Sequence, residues 1–190
     1  MNIVDRAKNI LITPKTEWDV IDKEEGNLMS VLTTYVLPLS LIGGIATLIG
    51  WGVIGRYSFT SWEWGIKLAV ISVVSVIAGY IITTFVVDAL APSFGSEKNI
   101  NKSAQFVGYS YTPSLIGAIL TIIPALAWLG MLCGFYGIYL MYLGLGPMKK
   151  TPEDKKVVYL IISMLVLIVG YAVLGMILGS IIIGSGFRTF

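Results

Sequence analysis

The chain predicts an all-α integral membrane protein, a five-transmembrane-helix bundle preceded by short N-terminal amphipathic cytoplasmic helices. Two observations carry that class. The stretch Phe106–Met148 runs about forty residues without one Asp, Glu, Lys or Arg. A hydrocarbon core about 30 Å thick needs about 20 apolar residues per helix, so this stretch can cross twice, folding back at Pro124. Charged residues make up only 13% of the chain, against about 25% in soluble domains. They gather in the first 25 residues, at 56–67, 97–102 and 149–156, and at Arg188, with Asp88 alone between them.

The elements divide the chain into a preface, residues 1–29, and a five-span domain, residues 30–190. In the preface, Ile3, Val4, Ala7, Ile10 and Leu11 share one helical face, with Asp5, Arg6, Lys8 and Asn9 away from it. Thr13-Pro14 reads as a break and restart, because proline is tolerated in a first helical turn. The second short helix places Trp18 and Ile21 together and turns Glu17, Asp19 and Asp22 toward water. Such a pair of helices either lies on a membrane surface as a docking element or caps the bundle as a packed lid. Ile3, Ile10, Leu11, Trp18 and Ile21 are the residues that would make either contact.

The spans follow at 30–54, 67–90, 104–123, 125–146 and 157–184. Pro92 and Pro147 stand just past the second and fourth, where helices stop. The third is the most polar, with Gln105, Tyr109, Ser110 and Tyr111 crowding its start. Positive charge selects the orientation. With the N-terminus inside, the inner segments hold Arg6, Lys8, Lys15, Lys23, Lys98, Lys102, Lys149, Lys150, Lys155 and Lys156; the outer ones hold only Arg56, Lys67 and Arg188. Trp51, Trp62, Trp64 and Trp128 then form an aromatic belt at the outer boundary. The N-terminus is expected in the cytoplasm and the C-terminus outside, in a prokaryotic cytoplasmic membrane.

The chemistry on offer is narrow. A net charge of +2 gives no broad basic surface for nucleic acid. There is no histidine, which removes the usual near-neutral proton carrier and metal ligand. Cys133 stands alone and reads as a packing residue. No cofactor motif and no metal site is expected. Asp88 is the isolated acid of the spans and a functional candidate by default. It needs a partner, for which Lys98, Lys102 and the Tyr109 hydroxyl are in reach, and with Tyr109, Tyr111 and Pro113 it makes the candidate intramembrane polar site. The Tyr109–Ser114 patch either lines a pocket or satisfies the kink at Pro113. Lys149, Lys150, Lys155 and Lys156 are candidate contacts for lipid headgroups, or set the topology. Gly130, Gly134, Gly137, Gly175 and Gly179 form small-residue faces that permit close helix packing, within the chain or in a homo-oligomer.

The pattern resembles the Yip (Ypt/Rab-interacting protein) domain family of multispanning membrane proteins. The resemblance rests on Asn9-Ile10-Leu11, Pro14 and Trp18 before the first span, the Tyr109-Ser110-Tyr111-Thr112-Pro113 start of the third, and Tyr136–Gly146 before Lys149. It implies a five-helix bundle with a cytoplasmic N-terminus. Eukaryotic relatives are associated with Rab-type GTPases and vesicle traffic. This chain has no long N-terminal cytoplasmic region, which argues against a GTPase partner and aligns it with the short prokaryotic members. The resemblance assigns no catalytic or ligand residue.

The expected function is non-enzymatic: organising or remodelling the membrane, or scaffolding other membrane proteins, with lipids and neighbouring membrane proteins or a second copy as partners. The alternative is a small-solute or ion transporter using Asp88 and the patch near Pro113. A lipid-modifying enzyme, with Asp19 and Asp22 as a DxxD metal pair, ranks third.

Overall fold

The computed structural model describes residues 2–54 and 62–186, with side chains of the final helix described through residue 170 and at 172, 173 and 176. Arg56, Arg188 and the surroundings of Gly175 and Gly179 lie outside the described residues.

Helix α1 (Ile3–Ile12) starts where the Asn2 side chain accepts the Val4 amide, and stops before Pro14, which opens α2 (Pro14–Asp22). Asn27 caps α3 (Leu28–Val31) by accepting the Ser30 amide. A π-helical turn, Leu32–Val36, joins α3 to α4 (Leu37–Ile49), and a second, Gly50–Ile54, ends the segment. The first π turn immediately precedes Pro38, whose ring nitrogen cannot donate to the preceding turn. Helix α5 (Trp62–Leu90) ends in a 3-10 turn, Ala91–Phe94, closed by Gly95 at φ 68°, where glycine carries no side-chain penalty.

The predicted third span is not one helix. Asn99 caps α6 (Ile100–Ser110); Pro113 then opens α7 (Thr112–Gly117), and 3-10 turns at Ala118–Ile122 and Pro124–Leu126 carry the chain around. Ile123 is extended and the chain folds back at Pro124 into α8 (Ala127–Lys149). This helix runs through Pro147 rather than stopping before it. It ends at Lys150 in the left-handed region, with the Lys150 amide bonded to the Gly146 carbonyl and the Thr151 amide to that of Leu145. Helix α9 (Glu153–Gly186) completes the chain. Among the described residues three segments are long and apolar enough to cross a membrane: Leu28–Ile54, Trp62–Phe94 and Pro124–Lys149.

The buried core is concentrated at one end. Ile10, Trp18 and Ile21 of the preface meet Tyr80 and Val87 of α5, Ala104, Phe106 and Val107 of α6, Leu140, Leu145 and Met148 of α8, and Tyr159 of α9. The preface is thus a lid packed on the bundle end, and its apolar stripe faces protein except at Val4, which stays exposed. Ile10, Trp18 and Ile21 are fully buried, while Ile3 and Leu11 pack at the margin. A membrane-surface role for these five side chains is corrected accordingly, because a stripe sealed against the bundle cannot also enter lipid. Trp62, Trp64 and Trp128 are exposed at the helix ends away from the lid. Ile42, Ile45, Met131, Phe135 and Ile168 leave large apolar surfaces on the bundle exterior, as expected where lipid is the solvent.

Candidate functional site at the lidded end of the bundle

The lidded end carries the charges that the spans exclude, arranged in three clusters. The deepest is built by Asp88 near the end of α5, Ser103 on α6 and Lys149 in the last turn of α8. The Lys149 ammonium donates to Ser103 Oγ at 2.7 Å, Ser103 donates to Asp88 Oδ1 at 2.9 Å, and the ion pair itself spans 3.5 Å. Nearby, the Tyr159 hydroxyl donates to the Val87 carbonyl and its ring stacks on Phe94 at 4.8 Å.

This geometry corrects two expectations. Asp88 pairs with neither Lys98, Lys102 nor Tyr109 but with Lys149 and Ser103. Lys149 has no exposed side-chain surface, so it cannot touch lipid headgroups. The reason is the helix end: with α8 running past Pro147, Lys149 is carried into the bundle instead of into a loop. Lys156 is also largely buried, bonded to Glu153, whereas Lys150 and Lys155 stay exposed.

The second cluster latches the lid. Arg6 of α1 is buried, donates to Glu17 of α2 and to Glu24, and lies 5.2 Å over the ring of Tyr109. Burial lowers its tendency to hold a proton, but hydrogen bonding to Glu24, then interaction with Tyr109 and both carboxylates, more than reverses this and raises its pKa. Glu17, expected to face water, is thereby buried as well. Tyr109 in turn packs edge-on to Tyr35 at 4.8 Å, and the Tyr35 and Thr112 hydroxyls bond at 2.7 Å. The Tyr136 hydroxyl donates to the Leu11 carbonyl at 2.8 Å, fixing the end of α1.

The third cluster holds Asp22 between Lys102 at 3.4 Å and Lys150 at 2.8 Å. Asp22 is thus engaged by two lysines, and Asp19 is exposed, so the DxxD spacing builds no paired carboxylate site. Burial pushes Asp22 upward, but the Lys150 hydrogen bond and the Lys102 charge outweigh it and hold the carboxyl below its usual 3.8. A depressed folded-state pKa means that this tether is complete above pH 3.8 and is lost as pH falls through the lower folded value. Near neutral pH, Asp22→Asn should therefore destabilise the lid by up to about 1 kcal/mol. Well below pH 3.8 the variant and the parent should become equal, measured as lid unfolding by hydrogen exchange.

The expected polar site is therefore divided. Asp88 joins the ionic cluster and Tyr109 the lid latch. The Tyr111 hydroxyl bonds Thr83 at 2.6 Å and Pro113 is buried at the start of α7. Of the small-residue face, Gly130 and Gly137 pack within the chain: an added Cβ would come within 2.8 Å of the Gly117 carbonyl and 2.9 Å of the Ser110 carbonyl, respectively. Gly134 makes looser contact with Ser114. Sequence reasoning missed Arg6, Glu17, Glu24 and Ser103 as site residues. Arg6 and Glu17 sit within helices whose charges look solvated, and only the fold brings them together.

A cavity of about 590 Å³ lies beside the third cluster, lined by Asp22, Glu24, Asn27, Asn99, Lys102 and Gln105 among others.

The Yip1 domain family matches residues 8–175. The chain is similar to the inner membrane protein YohC of Escherichia coli K12, with 28% identity covering 93% of this chain and 95% of the relative. The same protein from Escherichia coli O6:H1 matches equally. No solved structure gives a significant match. With the match running from the lid through α8 and into α9, the chain belongs to the Yip1 domain family of integral membrane proteins.

Proposed function

We propose that this protein is a non-enzymatic organiser of the membrane, a scaffold for other integral membrane proteins. The observation that carries this reading is the latched lid. Arg6 over the Tyr109 ring, Trp18, Asp22 and Tyr136 anchor it to the bundle at four separate points, so it presents one fixed outer face. That face carries Val4 and Ile12, each about two-thirds exposed, beside Asp5, Lys8 and Lys15. Rigid, mixed apolar and charged surfaces suit protein recognition, because little side-chain and loop entropy is lost on binding.

The accompanying topology is five spans with the lid in the cytoplasm. It is supported by the ten basic residues assigned to one side against three on the other, and by the tryptophans grouped at the opposite end. The E. coli relative, described as an inner membrane protein, supports a prokaryotic cytoplasmic membrane as the location.

The test is reconstitution. Purified protein in liposomes should oligomerise, retain a membrane-protein partner, or deform the vesicle, and Val4→Asp/Ile12→Asp should abolish that behaviour while leaving the lid protected. Inertness in all three assays overturns the reading. A tag on Phe190 accessible only from the cytosol overturns the sidedness.

A further inference from the structure

A second cavity, about 490 Å³, lies among the helices away from the lid. Its walls come from the middles of the spans: Ser40 and Thr47 in 28–54, Ser72 and Ser75 in 62–94, and Gly134 and Gly137 in 124–149. Ser110, Tyr111, Ser114 and Thr121 of the broken α6–α7 segment close one side, and Met164 and Ile168 of α9 another. It falls within the range of about 300–1,000 Å³ typical of small-molecule sites.

Two properties set its chemistry. No charged side chain lines it among the described residues, so an ionised ligand would lie uncompensated at this depth. Its hydroxyls are mostly committed as donors to their own helices: Ser40 to the Leu37 carbonyl, Thr47 to Gly43, Ser72 to Ala69 and Thr121 to Ala118. Each such oxygen keeps acceptor capacity toward the cavity side. Ser75 and Ser114 are the exceptions, lining this cavity without a hydrogen-bond partner among the described residues, whereas the Ser110 hydroxyl, also without a partner, is sealed within the wall. A buried hydroxyl without a partner is costly, and lipid around it supplies no water.

We infer that this cavity binds an uncharged lipid alcohol from the bilayer, such as a diacylglycerol, whose hydroxyl accepts from Ser75 or Ser114 and donates to the acceptor oxygens of the wall. A hydroxyl is both donor and acceptor, which fits free donors facing several acceptors. The apolar remainder of the molecule lies against Val76, Leu115, Met141 and Ile168. This inference stands apart from the scaffold reading, since the cavity shares no residue with the lid.

The probe is a diazirine-bearing diacylglycerol in phosphatidylcholine liposomes holding the full chain. Saturable labelling of peptides spanning 37–47 or 110–121 is expected, competed by dioleoylglycerol but not by triolein, which lacks the hydroxyl. Ser114→Ala should weaken competition about fivefold, the loss of one neutral hydrogen bond. Ser75→Phe, which fills the cavity from another wall, should abolish site-specific labelling. Folding of each variant is checked by its melting temperature, and competition on the parent protein alone decides the case if either variant misfolds. Unsaturable labelling, equal competition by triolein, or labelling unchanged in both folded variants overturns the inference. So does glycerol flux without lipid labelling, which would make the cavity a site for a water-soluble solute.

Discussion

Replacing Lys149 by Met should destabilise the folded bundle by about 3–5 kcal/mol, the usual cost of leaving one buried ion unpaired. Lys149 has no exposed side-chain surface and Asp88 only 10%, so neither charge can turn to water when its partner is removed. Asp88→Leu should cost a similar amount, since it strands the ammonium instead. The two losses should not add. Removing the whole polar cluster at once, as Asp88→Leu/Ser103→Ala/Lys149→Met, should restore most of the stability, because desolvation of both ions disappears with them. The measurement is reversible chemical unfolding in nanodiscs. A Lys149→Met variant within about 0.5 kcal/mol of the parent, the range of ordinary surface substitutions, would contradict the buried pair.

How far the sequence foretold this arrangement depends on the range of the interactions. Local signals were legible: the Thr13-Pro14 restart, the fold-back at Pro124, and the shared face of Trp18 and Ile21 are set by neighbouring residues. What covers that face was not, because an amphipathic helix shows the same periodicity whether lipid or protein seals it. Lys149 went astray for a local reason. Proline usually follows a helix end, so the sequence predicts a fourth span that stops before Pro147. One more turn, closed by Lys150 in the left-handed region, converts a loop lysine into a buried partner for Asp88. Arg6 and Glu17 were hidden because each looks solvated on its own helix, and their pairing exists only once α1 folds back on α2. The Tyr109–Ser114 patch was read as lining a pocket or easing a kink. Ser110, Tyr111 and Ser114 line the cavity and Thr112 and Pro113 start α7, so the segment does both, while Tyr109 belongs to the lid latch.

Trp18→Ala should release the lid while the spans stay assembled. Trp18 is fully buried, its indole N–H donates to the Leu140 carbonyl at 3.1 Å, and its ring tilts against Phe106 at 5.8 Å. Truncating a buried tryptophan typically costs about 3–5 kcal/mol. Here that cost falls on the two lid helices, which join the bundle through side-chain latches and can open as a unit. Trypsin should then cleave after Lys8 and Lys15, sites protected by helical structure in the parent. The slot can be closed from the other side. A Cβ at Gly144 would sit 2.8 Å from the Trp18 ring and 2.9 Å from Phe106, so Gly144→Val should also expel the tryptophan, at about 1–3 kcal/mol. The pair gives the sharper test. In Trp18→Ala the indole is gone and Phe106 has room to shift away from the valine, so adding Gly144→Val should cost less than it does in the parent. Strictly additive effects, or a lid still protease-resistant in Trp18→Ala, would mean that Trp18 and Gly144 do not share the slot that holds the preface to the bundle.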